Sequence, residues 1–315
     1  FTLEFIGNKH DPYSDIGLVS AQGNGEIINL TNSGYSSGSP SFALDGNAIL
    51  FTTERYGMRA HASWGSLDDA MLVFLNQDAY DKFSLSKEDY ELYKEANSDR
   101  KKVAAKDSSK VKDVVVELKN IEDRIVRLTP NSSNMGSTLI SKDGKTLYYL
   151  ASTESGRNLW KMDLNKKETK LLHKVDAGWT SLEMDKEGKT LFILNGKNMQ
   201  KMNLASDDLK PIKYLAQVKL DLSAEREYMF DHVYKQQQKR FYNTNMHGVN
   251  WDAMTAAYRK FLPHIDNNYD FAELLSEWLG ELNVSHTGGR FYPDGQSEPT
   301  ASLGLLFDWN YQDKG

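Results

Sequence analysis

The 315-residue sequence contains no cysteine, which excludes disulfides, a thiol nucleophile and thiolate metal sites. It contains no apolar run near the roughly 18 residues that a membrane span requires. Residues 1–8 lack the basic start and the apolar run of a signal peptide. The net charge of −6 is mild and gives no reason to expect nucleic acid as a partner. With 39% hydrophobic residues, the chain can form packed cores in two domains of ordinary size.

Three segments repeat one pattern of a short strand, a tight turn and a second apolar strand. The turn pairs are Asp45-Gly46, Asp143-Gly144 and Glu187-Gly188. Such pairs between apolar strands predict β-hairpins. Gly144 and Gly188 are 44 residues apart, which is the period of a four-stranded propeller blade. Residues 1–215 are therefore predicted to form one incomplete and three complete blades, with a generic antiparallel sandwich as the alternative.

Two insertions lengthen the second of these blades. Residues 54–68 extend the loop between its second and third strands, and residues 78–120 separate the third strand from the fourth. A capping-box pattern that begins at Ser86 predicts a helix that runs to about residue 96. Residues 97–113 hold six basic and three acidic side chains and few large apolar ones. This composition predicts a solvated, mobile tether, with polyanion binding as the alternative.

The hydrophobic period changes after residue 221, where three helices are predicted over 224–241, over 250–262 and from Asp270 onward. The second helix is expected to bury one face, Trp251, Met254, Tyr258 and Phe261. The third is expected to bury a stripe at helical spacing, Phe271, Leu274, Leu275, Trp278, Leu279 and Leu282. The predicted fold is thus mainly β with an α-helical C-terminal part, a partial β-propeller of four-stranded blades followed by a small helical bundle.

A serine and a histidine, Ser285 and His286, directly follow the third helix, and Gly288 and Gly289 come shortly after them. A packed helix fixes the backbone and the glycines leave room for a substrate, so the position suits a catalytic histidine. A Ser-His dipeptide alone is usually without function. Adjacent side chains often diverge, so Ser285 is not expected to be the nucleophile.

The surroundings of this pair resemble the first catalytic subdomain of the tricorn-type serine peptidases, of peptidase family S41. The resemblance rests on residues 251–258, on the Leu-Pro pair at 262–263, on residues 277–282, and on the order of propeller, helices and histidine. It implies that His286 is the general base and that Ser285 belongs to the charge relay. It also implies a peptide or an unfolded protein as substrate. The residues themselves give no sign of a cofactor or a metal site, so none is predicted.

The same resemblance implies a division of the chain into propeller blades (1–215), a helical catalytic subdomain (216–299) and the first strand toward a PDZ-like domain (300–315). In this family the nucleophilic serine and a relay glutamate lie in a second subdomain, after the PDZ-like domain. We therefore expect the chain to be a piece of a longer polypeptide and to be inactive alone.

Other signals compete with this interpretation. Residues 34–38 spell G-x-S-x-G, but a nucleophile elbow requires a strand before the serine and a helix after it. Ser36 instead precedes a predicted blade strand, which favours an ordinary loop. The remaining histidines show no H-E-x-x-H pattern, which disfavours a zinc site. His232 and His247 could sit near His286, although structural roles are favoured for both.

Two classes of function remain open, a peptidase fragment and a non-catalytic TolB-like propeller that binds proteins or peptides. The sequence does not reveal the peptide preference, and a homo-oligomer is compatible with it. The compartment is also open, because the blades resemble periplasmic TolB whereas tricorn itself is of a cytoplasmic type. Of the two, the cell envelope is preferred.

Overall fold

A computed structural model describes eight stretches of the chain, residues 2–5, 13–23, 25–59, 65–96, 114–152, 156–177, 180–196 and 198–293. The chain divides into two compact units, residues 1–216 and residues 217–315. The first unit consists mainly of antiparallel sheets and the second of helices. The predicted class, mainly β with a helical C-terminal part, is confirmed.

Four antiparallel sheets follow one another along the described part of the first unit, one with three strands and three with four. Within each sheet, neighbouring strands in the chain pair with each other, as in the blades of a propeller. Blade 1 contains β1 (Thr2–Phe5), β2 (Tyr13–Leu18) and β3 (Ile28–Asn29). Blade 2 contains β4 (Ser37–Ala43), β5 (Ala48–Thr53), β6 (Asp69–Phe74) and β7 (Ile125–Arg127). Blade 3 contains β8 (Asn134–Ile140), β9 (Thr146–Ser152), β10 (Arg157–Asp163) and β11 (Glu168–Ala177). Blade 4 contains β12 (Thr180–Met184), β13 (Thr190–Asn195), β14 (Asn198–Asn203) and β15 (Leu209–Ile212).

The three predicted turns join the first and second strands of blades 2, 3 and 4. Gly46, Gly144 and Gly188 have φ angles of 82°, 70° and 71°, a region that glycine adopts without strain. Neighbouring turns also contact each other. A Cβ atom at Gly144 would lie 2.8 Å from Leu44 Cδ2, and one at Gly188 would lie 2.8 Å from Lys142 Cβ. The prediction that the turns occupy equivalent positions is therefore confirmed.

Each pair of neighbouring blades shares a buried apolar cluster. Because side chains alternate across a strand, blade 2 supplies both of its faces. One face meets blade 1 through Ile49, Phe51, Met71 and Val73. The other face meets blade 3 through Leu50, Leu72 and Phe74. Burial of both faces explains why the sequences of β5 and β6 are nearly continuous runs of apolar residues.

A buried aspartate joins the last two strands of blade 1. The Thr31 hydroxyl donates to Asp15 Oδ1 at 2.6 Å, and the Ile16 backbone N–H donates to the same hydroxyl at 3.1 Å. The Asn29 amide donates to the other carboxylate oxygen of Asp15 at 2.9 Å. We call this arrangement the aspartate clasp.

Blade 2 repeats the aspartate clasp between β6 and the chain after β7. The Thr129 hydroxyl donates to Asp69 Oδ1 at 2.8 Å, and the Ala70 N–H donates to that hydroxyl at 3.2 Å. Arg127 takes the place of Asn29 and donates to Asp69 through Nε and Nη2 at 3.0 and 2.9 Å. The Ser132 hydroxyl adds a bond to Asp69 Oδ2 at 2.7 Å. The carboxylate is thereby fully paired although it is buried.

The long insertion of blade 2 lies between β6 and β7, as predicted, and contains two helices, α1 (Gln77–Ser84) and α2 (Lys87–Ala96). The predicted helix start at Ser86 is confirmed, because its hydroxyl accepts from the Asp89 N–H at 3.1 Å and donates to the Asp89 carboxylate at 2.8 Å. Helix α1 was not predicted. It begins at an Asn76 cap and packs Tyr80 and Phe83 against the buried Phe74. The predicted tether, residues 97–113, lies outside the described residues.

The second unit contains three helices, α3 (Leu222–Arg240), α4 (Trp251–Arg259) and α5 (Asn268–Gly280). Two predicted boundaries were wrong. Helix α4 ends at Arg259, so Phe261, expected on the buried face, is 57% exposed. Helix α5 begins two residues before Asp270, because the Asn267 side chain accepts from the Asp270 N–H at 2.9 Å and caps the helix.

An aromatic sandwich forms the centre of this unit. The Trp278 ring is fully buried, with its centroid 4.1 Å from that of Phe230 and 4.6 Å from that of Trp251. The two partners come from α3 and α4, so Trp278 on α5 fixes all three helices together. The Arg259 guanidinium lies 4.9 Å from the Phe230 ring centroid and pairs with Asp231. None of the described helices is long and apolar enough to cross a membrane.

Candidate functional site

The predicted serine and histidine lie in a turn just past α5. The Leu282 side chain is fully buried, whereas Ser285 and His286 are exposed. Asn283 and His286 have positive φ angles of 48° and 65°. Such angles are uncommon for residues other than glycine, and they reverse the direction of the chain within a few residues. We call residues 283–286 the histidine turn.

The chain that follows the histidine turn runs back along α5. The Ser276 hydroxyl donates to the Gly289 carbonyl and accepts from the Gly289 N–H, both at 2.9 Å. A Cβ at Gly289 would lie 2.9 Å from the Ala272 carbonyl, so only glycine permits this approach. Further along, the rings of Phe291 and Tyr269 meet edge to face at 4.9 Å. The histidine turn is therefore held on both sides by the same helix.

Two contacts fix the end of α5 to the rest of the unit. The Tyr258 hydroxyl donates to Glu281 Oε1 at 2.8 Å. Loss of solvation, together with the Glu281 carboxylate, raises the pKa of Tyr258 to about 12, so the phenol remains a donor across the physiological range. The second contact is from His247, whose Nδ1 lies 2.8 Å from the Leu282 carbonyl oxygen.

Neither Ser285 nor His286 makes a hydrogen bond or an ion pair within the part of the chain that the structure describes. The imidazole of His286 is thus presented to the surface from a fixed backbone, with its nitrogens available. A neutral imidazole in such a position can accept a proton from a hydroxyl that is brought within hydrogen-bond reach. Ser285 and His286 are adjacent in the sequence, but no hydrogen bond joins their side chains in the described structure.

The competing signals do not assemble into a site. Ser36 of the G-x-S-x-G string precedes strand β4 and no helix follows it, so the strand–turn–helix context of a nucleophile elbow is missing there. His232 is exposed on α3 and stacks on Tyr228 at 6.2 Å. Among the described residues, no group of three or more His, Asp or Glu side chains could hold a metal ion.

Sequence reasoning missed the role of His247, for which it favoured a structural role without naming a contact. The partner carbonyl belongs to Leu282, 35 residues away in the sequence. No local pattern signals such a contact. The one available hint was the Met246-His247-Gly248 string, where a glycine next to a histidine is compatible with a tight turn.

The chain thus combines a partial propeller with a helical unit that carries an exposed histidine. Proteins with the same combination are the relevant ones for comparison. Residues 222–280 match the family described as the tricorn protease C1 domain. A protein of Sulfurisphaera tokodaii, named as a tricorn-like protease C-terminal subunit, is 25% identical over 96% of this chain and 35% of its own length. A tricorn protease homolog of Saccharolobus solfataricus is 21% identical over 92% of this chain and 27% of its own.

The fold comparison agrees. The crystal structure of the tricorn protease superposes on 92% of this chain and 28% of its own, with a TM-score of 0.56 and 13% identity, which shows a shared fold. The chain spans only about a quarter to a third of the length of these two curated relatives. The predicted resemblance to tricorn-type proteases is confirmed, and these findings support a tricorn-protease-like fragment.

Proposed function

We propose that this chain is part of a serine peptidase of the tricorn type, which hydrolyses peptides or unfolded proteins and takes its general base, His286, from this chain. One observation carries the proposal. An exposed histidine with free ring nitrogens stands on a fixed turn, directly after the segment that matches the C1 domain. Peptide hydrolysis by a serine requires such a group, because the hydroxyl must lose its proton as it attacks.

In the proposed reaction, His286 accepts the proton of a serine hydroxyl while that oxygen bonds to the scissile carbonyl carbon. The imidazolium then gives the proton to the leaving amine as the C–N bond breaks, and water repeats the cycle on the acyl-enzyme. Ser285 polarises or orients the imidazole without bonding to substrate. The nucleophile and the relay glutamate are proposed to lie outside this chain, so the 315-residue chain alone is expected to be inactive.

The test uses the complete polypeptide that contains this chain. We expect His286→Ala to lower kcat on unstructured peptides by several orders of magnitude, about 10³-fold or more, with an unchanged melting temperature. Ser285→Ala is expected to cost less. His232→Ala removes an equally exposed histidine and serves as the matched control, with activity near that of the wild type.

Full activity in a folded His286→Ala protein would exclude the histidine from the reaction. If the wild-type complete polypeptide instead bound peptides without hydrolysing them, the function of a binding propeller would be favoured. Hydrolysis by the isolated chain that is abolished by Ser36→Ala would contradict the proposed division of the catalytic groups.

A further inference from the structure

The two hydrogen-bond partners of the His247 imidazole determine which of its ring nitrogens carries the proton. Nδ1 faces the Leu282 carbonyl oxygen at 2.8 Å, and a carbonyl can only accept, so Nδ1 carries the proton. Nε2 of the neutral ring is then an acceptor, and the Tyr242 hydroxyl is within hydrogen-bond reach to donate to it. The ring therefore has one donor site and one acceptor site, each matched to its neighbour.

The carbonyl that His247 binds is the last fixed point before the histidine turn. It lies beyond the end of α5, where helix carbonyls have no partner within the helix. The Leu282 side chain is fully buried, and the next residue, Asn283, already has a positive φ of 48°. A donor at this carbonyl therefore sets the direction in which the chain enters the turn.

The backbone around His247 is held in an unfavourable conformation. Met246 and His247 have φ angles of 48° and 55°, a region that residues other than glycine adopt only at a cost in free energy. Ring contacts stabilise this conformation, since His247 meets Phe241 and Tyr242 edge to face at 5.2 Å each. Phe241 is buried in the core of the unit, so the position of the imidazole is set by that core.

We infer that His247 is a positioning residue for the histidine turn, which it holds through the Leu282 carbonyl so that His286 keeps a productive orientation. The inference rests on the proposed role of His286. His247 itself does not touch substrate. Substitution of His247 changes the position of His286 and leaves the ability of the His286 imidazole to accept a proton unchanged.

The first test does not depend on activity. In the 315-residue chain labelled with ¹⁵N-histidine, at about pH 8, long-range ¹H–¹⁵N spectra report which nitrogen carries the proton. We expect His247 to be protonated at Nδ1. A ring protonated at Nε2 would overturn the inference whatever the enzyme does.

The second test compares two substitutions of His247 with the same two at His232. Asn places an amide N–H close to the position of imidazole Nδ1 and tolerates a positive φ, whereas Leu offers no donor. In the labelled chain, we expect His247→Leu to shift and broaden the His286 signals, and His247→Asn to leave them close to those of the wild type. Neither His232→Leu nor His232→Asn is expected to move them.

In the complete polypeptide, His247→Leu is expected to lower kcat about 10- to 100-fold with KM changed less than about twofold, as for a misplaced catalytic group. His247→Asn is expected to restore most of the rate. If His247→Leu does not fold, the tautomer measurement and the His247→Asn variant still test the inference. A folded His247→Asn protein with shifted His286 signals would contradict it.

The two hypotheses can fail separately. If His286→Ala abolishes activity while His247→Leu leaves both kcat and the His286 signals unchanged, the positioning role is wrong and the proposed function stands. If His286→Ala is fully active while the His286 signals in the labelled chain still respond to His247→Leu, the proposed role of His286 in peptide hydrolysis is wrong. The conclusion that His247 fixes the histidine turn then still stands.

Discussion

At the scale of single residues, Asp68 is the group whose charge the fold disfavours most clearly. Burial raises its pKa to about 6, and the negative charges of Glu54 and Asp69 act in the same direction, while Arg157 partly offsets them. Asp68 lies directly before β6 and next to Asp69, the clasp aspartate of blade 2. Its ionisation therefore opposes folding.

We predict that Asp68→Asn stabilises the chain near neutral pH. The folded-state pKa of about 6 lies above the ordinary value of 3.8, so the folded state binds the proton more tightly. The favourable contribution of the protonated form is complete below about pH 4 and is lost as the pH rises through 6. After allowance for solvent screening, the variant should be more stable by about 1 kcal/mol at pH 7.5.

Urea unfolding of both proteins at pH 3.5 and at pH 7.5 measures this effect. The stability difference should appear only at the higher pH. A difference that is equal at both values would mean that the amide acts through packing, and a destabilised variant at pH 7.5 would mean that the carboxylate is favourably paired.

His286 and His247 show which properties of single residues could be predicted from the sequence and which could not. His286 was singled out because it follows a strongly periodic helix, and the structure places it exposed at the end of that helix. Its catalytic role remains a prediction. His247 could not be assigned a contact, because the Leu282 carbonyl reaches it only through the packing of the helices.

At the scale of elements, the aspartate clasp joins the last two strands of a blade, which are β6 and β7 in blade 2. We predict that Asp69→Ala lowers the free energy of unfolding by about 3 kcal/mol. The substitution leaves Arg127, Thr129 and Ser132 without their shared acceptor, and breaking a buried pair on one side is costly. Urea titration with tryptophan fluorescence provides the measurement.

Glu183→Ala is the matched control for the clasp. It also removes a strand carboxylate, but an exposed one, so the expected change is below about 0.5 kcal/mol. Equal losses from the two substitutions would show that the clasp contributes nothing beyond an ordinary surface charge.

Elements with a local signal were predicted well, and elements defined by distant partners were not. The turns at Gly46, Gly144 and Gly188 could be predicted because an Asp-Gly or Glu-Gly pair between two apolar strands is a local signal for a hairpin. Helix α1 was missed because its apolar side chains are few and find their partner, Phe74, on a strand. The clasp was also missed, since Asp69 and Thr129 are 60 residues apart.

At the scale of the whole molecule, the two units have separate cores. The apolar cluster of the second unit, centred on Trp278, contains only residues from 229 to 284. We therefore predict that residues 217–315 alone unfold cooperatively on heating. We also expect them to retain a near-ultraviolet circular dichroism signal from the stacked Trp251 and Trp278 rings, which are inclined by only 2°.

The corresponding measurement on residues 1–216 provides the comparison, since that fragment retains the three clusters between blades. A gradual melt of residues 217–315, or a near-ultraviolet signal that appears only when both fragments are mixed, would show that the second core requires the first unit.

The contacts between successive turns have a consequence for ring geometry. Where the hairpin of one blade meets the hairpin of the blade before it, a Cβ atom at Gly144 would approach Leu44 Cδ2, and one at Gly188 would approach Lys142 Cβ, to 2.8 Å in each case. A larger residue at Gly188 would therefore require the Lys142 hairpin to move away, which would widen the angle between blades 3 and 4. The angles between successive blades are the ones that must sum to a full turn when a propeller closes.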